Sequence, residues 1–390
     1  MQFDPRSPEF RANPYPYYDL LRQYAPVFLW EEWGMTFLTR HEDCQMVLRD
    51  DRVGHGQFME PPEQQRPLLD MQSNWLLLQN PPDHTRLRGL VHKAFTPRMV
   101  EQLRDTIQTI TDRLLDSAEA SGEMDIVAGL AYPLPVTVIA EMIGVPEADY
   151  DRFHSWSDAL ARSLDLIEDE VIYNNAAVAA AEFTGYLGEL AQRRRIEPGD
   201  DLLSALVAVE EEGDRLTEAE LYGTCSLLLV AGHETTINLI GNGTQALLQN
   251  RPQWELLCAQ PDLAKTAVEE LLRYDSPVQM TSRLVMEPLT IGEQEFLPGS
   301  FVNLMLGAAN RDTAVFENPH QLDITRKPNP HLAFGAGIHY CLGAPLARLE
   351  GQIAFTTLTR RFPNLHLTDE TPQYRSNYIL RGLESLPVTF

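Results

Sequence analysis

The segment of this chain best able to do chemistry is Phe334-Gly335-Ala336-Gly337-Ile338-His339-Tyr340-Cys341-Leu342-Gly343, where three glycines surround one cysteine. A helical pattern, Ala344 to Arg360, begins just after it. Glycines permit positive φ and let backbone lie against a flat group. A cysteine ahead of a helix N-terminus faces unpaired N–H donors and the positive end of the helix dipole, which favour its thiolate. A thiolate so held is a ligand for iron. Two other readings of the same ten residues are a buried cysteine in a glycine-rich turn and half of a zinc site on His339 and Cys341. The zinc version lacks two further ligands nearby.

Three smaller constellations accompany it. Ala231-Gly232-His233-Glu234-Thr235-Thr236 sets a glycine and a charge inside an otherwise apolar helix. His84 and Arg88 stand at i, i+4, and Glu270 and Arg273 at i, i+3, so each pair shares one helix face. Taken alone, the first pair reads as a solvated helix face and the second as a surface ion pair, which is worth little.

The elements that must position these residues are mainly helical. From Pro97, the residues Val100, Leu103, Ile107, Ile110 and Leu114 recur at alternating three and four spacings, one face of a helix. Further helices are expected near 15–24, 41–50, 147–165, 171–195, 200–210, 262–274 and 343–361. The longest runs from Thr217 to about Asn250, starts on a Thr217/Glu220 capping box, and spans on the order of 50 Å. Short strands are expected at 279–286, 300–306, 364–368 and 385–390, with irregular structure over 307–340. Irregular segments of that length are usually functional.

Composition bounds the rest. The 390 residues are 44% hydrophobic, ample for a large core, and show no linker, repeat or low-complexity tract, so one domain over 1–390 is expected. A formal charge of −25, spread through the helical segments, disfavours binding to nucleic acid. Cys44, Cys225, Cys258 and Cys341 are widely spaced, which is neither a disulfide framework nor zinc-finger spacing. The apolar run Ile126 to Val145 is broken by Pro133, Pro135 and Glu141, so it reads as a buried helix and its entry; a membrane span needs about 20 nearly unbroken apolar residues. The N-terminus lacks a secretory pattern, and a cytoplasmic location is expected.

Together these segments resemble the cytochrome P-450 family, in particular its soluble bacterial members. The likeness runs from Tyr15-Pro16-Tyr17-Tyr18 to Leu386-Pro387-Val388-Thr389-Phe390. It implies a mainly α fold with small β-sheets and a long central helix crossing the domain over a haem. It implies haem b (iron protoporphyrin IX) as cofactor with Cys341 as the iron ligand. His84, Arg88, Arg283 and His339 match positions that hold the haem propionates, and Glu234 and Thr235 match the acid–alcohol pair that delivers protons. Gly232 would leave room over the iron, whereas His233 is left outside the site. Glu270, Arg273 and Arg326 match a structural lock on the loop beneath the haem, near Asn310, Arg311 and Asp312.

The activity so implied is O2-dependent hydroxylation of a hydrophobic small molecule. Electrons would come from a separate ferredoxin or flavodoxin with its reductase, and so only indirectly from NAD(P)H. Arg86, Lys93, Arg98 and Arg348 are expected to form the basic docking patch. Peroxide-using relatives replace the acid–alcohol pair by arginine and proline, so Glu234 and Thr235 argue against a peroxygenase and against a non-catalytic haem sensor. Substrate contacts are expected from Asn74 to Leu78, the 160–180 helices, Leu228 to Thr236, Val278 to Met280, and Leu380. Fatty acids, terpenoids and macrolides, free or carrier-bound, all suit such apolar walls. The sequence names neither the regiochemistry nor the oligomeric state.

Overall fold

The computed structural model describes residues 4–5, 7–32, 34–56, 62–164, 169–211, 215–369 and 371–390. Residues 165–168, within one expected substrate-lining stretch, lie outside these. The fold is mainly α with small sheets. Its residues group into two compact units, neither contiguous in sequence: one from 1–54, 111–132 and 235–390, the other from 55–110 and 133–234.

The first unit holds a five-stranded sheet. Across it the strands run Val27–Trp30, Met35–Leu38, Phe301–Leu304, Thr281–Val285 and Val53–Gly54. Met35–Leu38 pairs in parallel with Phe301–Leu304, which pairs antiparallel with Thr281–Val285. Leu38, Val47, Val285, Val302, Leu304, Leu332 and Ala336 bury together against one face. Ala336 belongs to the cysteine segment, so the sheet's own core anchors that segment. Most strands among the described residues have three residues or fewer, shorter than the apolar runs that betray a strand in sequence. Thr281–Val285, Phe301–Leu304, His366–Leu367 and Pro387–Thr389 fall where strands were expected.

The second unit, among its described residues, is helical. Pro133–Ile143 is nearly all buried, as the broken apolar run suggested, and follows a π turn at Val127–Ala131 that belongs to the first unit. Phe153 and Trp156 of Tyr150–Arg162 pack on Phe183 of Glu170–Ile196 with ring centroids 5.8 and 5.6 Å apart. The expected single helix after Pro97 is two, Pro97–Gln102 and Arg104–Glu119. Within Arg104–Glu119 the buried stripe runs Ile107, Ile110, Thr111 and Leu115, so Leu115 rather than Leu114 is fully buried. Glu218–Gln249 carries the expected capping box, with Thr217 Oγ1 accepting from Glu220 N at 3.2 Å and Glu220 Oε2 from Thr217 N at 2.8 Å.

The irregular 307–340 stretch is held by one buried ion pair. Arg273 donates to both oxygens of Glu270 at 2.8 Å, and both side chains are fully buried. Arg273 also donates to the carbonyls of Asn310 and Pro319, while Glu270 accepts from Arg326, Asn329 and the Asp323 amide. Arg326 completes the lock as the resemblance implied. Removing one partner of such a pair strands the other charge without water. Arg273→Met should therefore lower unfolding stability by about 3–5 kcal/mol, read as a fall in the urea midpoint at unchanged m-value. A midpoint shift near zero would mean that the pair does not hold the loop.

Candidate functional site

In the first unit the cysteine segment forms one 3-10 turn, Gly337–His339, and then the N-terminus of Ala344–Arg361. Gly337 has φ +70, and a Cβ there would lie 2.2 Å from the Leu48 carbonyl oxygen, so only glycine fits. The Cys341 amide donates to Phe334 O at 2.9 Å, closing the segment on itself. Cys341 is partly exposed, and a Cβ on Gly343 would sit 3.9 Å from its sulfur. Burial pushes the thiols of Cys44, Cys225 and Cys258 up, away from the thiolate a metal requires.

A second network braces the same segment, and nothing in sequence spacing announced it. Arg348 forks onto Glu269 at 2.6 and 2.8 Å, and His331 meets that carboxylate at 3.0 Å. The Arg348 guanidinium lies 4.5 Å from the Phe334 ring centroid and reaches Tyr340 Oη at 3.1 Å. These contacts overcome the cost of burial and hold the Glu269 carboxyl down at about 2. Arg348 is therefore tied into this brace rather than offered to a docking partner, a correction to its expected role. Arg86 likewise pairs with Glu220, while Lys93 and Arg98 are exposed.

Arg283 lies on Thr281–Val285 and is 5% exposed. Its Nη1 donates to Thr281 Oγ1 at 3.1 Å and to Ser282 O at 2.8 Å. No carboxylate among the described residues pairs with it, and burial alone pulls it down to about 10. A buried cation answered only by neutral oxygens fits an anionic group such as a haem propionate. His339 sits in the 3-10 turn two residues before Cys341.

In the second unit His84 and Arg88 share one face of Asp83–Ala94, His84 buried and Arg88 half-buried. Burial, and then the Arg88 charge, pull the His84 imidazole below its ordinary value. It is thus neutral at pH 7, with one N–H to donate.

Glu218–Gln249 contributes 218–234 to the second unit and 235–249 to the first. Glu234 is 9% exposed and Thr235 half-buried. The expected role of Gly232 changes. A Cβ there would meet Ile139 Cδ1 at 2.8 Å, so this glycine lets Pro133–Ile143 approach. It is Ala231, exposed and one turn before Thr235, that shares the open face. His233 is fully buried with Nδ1 2.8 Å from Ser157 Oγ.

The expected apolar walls bury within their own units. Trp75 donates its indole N–H to Ser226 Oγ at 2.8 Å, Leu76 is buried and Leu77 is exposed. Val278 bridges to Leu380, and Met280 is buried. One carboxyl was missed in sequence: Glu350 of Ala344–Arg361, 1% exposed and bonded to Thr236. Its signal was a glutamate on the stripe Leu346, Leu349 and Ile353, which the structure buries.

Sequence and structure comparisons agree with one another. A profile described as Cytochrome P450 matches residues 242–384. From Bacillus subtilis (strain 168), "Polyketide biosynthesis cytochrome P450 PksS" is 44% identical over 404 residues, covering 100% of this chain and 98% of its own length. "Biotin biosynthesis cytochrome P450" of the same organism is 42% identical over 387 residues, with 98% of each covered. The crystal structure of P450BioI in complex with hexadec-9Z-enoic acid ligated acyl carrier protein superposes with TM-score 0.94 at 42% identity. That match covers 98% of this chain and 100% of the other.

Burial raises the Glu350 carboxyl from its usual 4.5 to about 8, a rise the Thr236 hydrogen bond partly offsets. The folded value lies above the unfolded one. Its contribution to stability is therefore whole below pH 4.5 and is lost as pH rises toward 8. Glu350→Gln keeps an acceptor for Thr236 and removes the titration. Unfolding free energy measured in urea from pH 5 to 8 should then flatten, with a gain at pH 8 on the order of a few kcal/mol. Parallel pH profiles for the two proteins would show that Glu350 does not carry this dependence.

Proposed function

As the chain belongs to the cytochrome P450 family of haem-dependent monooxygenases, we propose that Cys341 is its iron ligand and that Glu234 and Thr235 deliver the protons its oxygen chemistry consumes. The observation that carries this reading is the closed glycine segment that holds Cys341, partly exposed, just before the helix Ala344–Arg361. A thiol just ahead of a helix N-terminus faces the positive end of the helix dipole, which favours its thiolate. Arg283 and His339 of the first unit, and His84 and Arg88 of the second, would hold the propionates. Arg283 has the strongest support, since no carboxylate among the described residues neutralises it.

When bound, the haem supplies the iron at which O2 is reductively split, one atom entering the substrate and the other leaving as water. That chemistry consumes two protons, and the chain must deliver them where bulk water is excluded. Glu234 is nearly buried yet ionisable, and the Thr235 hydroxyl follows it directly in the helix. The pair would pass protons from carboxyl to hydroxyl to the reacting site.

The two units interleave in sequence, so residues 1–390 are read as a single catalytic domain. The substrate is a hydrophobic small molecule of the fatty-acid, terpenoid or macrolide kind. The acyl chain carried by the solved relative and the polyketide role in a relative's name favour an extended acyl chain. Electrons would come from a ferredoxin or flavodoxin with its NAD(P)H-dependent reductase, docking near Lys93 and Arg98. No described helix is long and apolar enough to cross a membrane. A cytoplasmic setting suits four cysteines that are all free thiols.

Two measurements test this assignment. The reduced protein with carbon monoxide should show the strongly red-shifted Soret band of thiolate-ligated haem. Cys341→Ala should abolish that band and Cys258→Ala should leave it intact; a surviving band in Cys341→Ala would refute the ligand. Thr235→Ala should preserve the band and substrate binding but lower the ratio of product to NAD(P)H consumed. The lost oxygen should appear as peroxide, because a positioned proton donor contributes about 10²–10⁴ in rate. An unchanged ratio would remove Thr235 from the proton path.

A further inference from the structure

His233 lies in the helix segment 218–234 with its ring fully buried, and its two nitrogens have different surroundings. Nδ1 is 2.8 Å from Ser157 Oγ, on the helix Tyr150–Arg162. Nε2 is aimed at two carboxylates at once, 3.9 Å from Asp158 Oδ1 and 4.0 Å from Glu234 Oε2. Those carboxylates differ sharply in exposure: the Asp158 side chain is 49% exposed and that of Glu234 is 11%. One imidazole nitrogen thus stands between a carboxylate that exchanges protons with bulk water and one that is almost cut off from it.

A purely structural histidine would be explained by Nδ1 and Ser157. It would not need its second nitrogen placed between two acids of unequal exposure. Separations near 4 Å are too long for direct hydrogen bonds. A small turn of either carboxyl, or one bridging water, closes each gap. Other titratable groups flank the path. Glu182 accepts from the Trp156 indole at 2.8 Å. His154, one turn before Asp158, is held below its ordinary value by burial, though Asp158 and Asp151 oppose this.

We propose that His233 is a relay that recharges Glu234 with protons taken from solvent at Asp158. In the resting ring Nδ1–H donates to Ser157 Oγ and Nε2, near both carboxylates, is the accepting nitrogen. A proton moves from the Asp158 carboxyl to Nε2, giving a transient imidazolium. Nε2 then releases it to the Glu234 carboxylate, and the ring returns to its starting tautomer. The net change is one proton moved from solvent to Glu234, with no electron transferred. This inference rests on the reading of Glu234 and Thr235 as the proton-delivering pair, and His233 acts only through Glu234.

The test uses the haem-loaded protein with its electron donors. His233→Asn keeps an amide where Nδ1 meets Ser157 and deletes Nε2, whereas Asp158→Asn alters only a half-exposed side chain. Both should retain the carbon monoxide band and substrate binding. Product per NAD(P)H should fall about tenfold or more in His233→Asn, and in the same direction in Asp158→Asn, with peroxide rising. A second readout is independent of turnover. In the carbon monoxide complex, nitrogen NMR of the His233 ring should show the Nε2 resonance moved by Asp158→Asn and by Glu234→Gln, and Nδ1 moved by Ser157→Ala. Uncoupling in Thr235→Ala and Glu234→Gln with normal coupling in His233→Asn and Asp158→Asn would overturn the relay and leave the proton-delivery reading standing. Normal coupling in Thr235→Ala and Glu234→Gln would overturn that reading and the relay with it. An Nε2 resonance indifferent to both carboxylates would overturn the relay by itself.

Discussion

A carboxylate and a guanidinium buried together without water, Glu270 and Arg273, are the constraint on which the first unit's working parts depend. Taking two charges out of solvent costs several kcal/mol per ion unless every lone pair and N–H finds a partner. Here they do, and the partners come from the stretch that has no regular structure of its own. Carbonyls of Asn310 and Pro319, the Asp323 amide, Arg326 and Asn329 all converge on the pair. Asn310 in turn accepts from Leu332 N at 2.7 Å, two residues before Phe334. A segment without helix or sheet thereby acquires one conformation, and the cysteine turn inherits it.

Ionisable groups in the two units fall into two physical classes. Glu270 and Glu269 are saturated by arginine forks and neighbouring donors, so they are held rigid. Arg283 and Glu350 are satisfied less completely by the described residues, among which Arg283 meets only neutral oxygens and Glu350 Oε1 meets no partner. His233 Nε2 lies near 4 Å from two acids. Saturation suits scaffolding, because it penalises any other arrangement. Incomplete saturation suits groups that bind an anion or hand on a proton, because a fully bonded group has nothing left to exchange.

Much of the site was legible before any fold was known, for a local reason. The glycine–cysteine turn, the Thr217/Glu220 capping box, the Glu270/Arg273 spacing and the Glu234–Thr235 pair depend on backbone conformation within a few residues. Positive φ at Gly337 and a helix N-terminus after Cys341 are written in residue type and order. Gly232 was misread because an empty Cβ position has a direction, and only the packed neighbour reveals it. That neighbour is Ile139, more than 90 residues earlier in the chain. The edge of the helix stripe at Leu115, the short strands and the role of Arg348 were hidden for the same reason.

By itself, then, the sequence determined the class of fold and the helices that long periodic patterns encode. Those properties follow from local sterics, hydrogen-bond capping and hydrophobic period, all of which act over a few turns. Only tertiary structure decided which charges are neutralised and which stay available. It joined Arg348 to Glu269 across 79 positions and left Arg283 without a carboxylate among the described residues. It buried Glu350 and set His233 between a wet acid and a dry one. Burial and ion pairing are properties of neighbours in space, and the chain's order does not encode them one residue at a time.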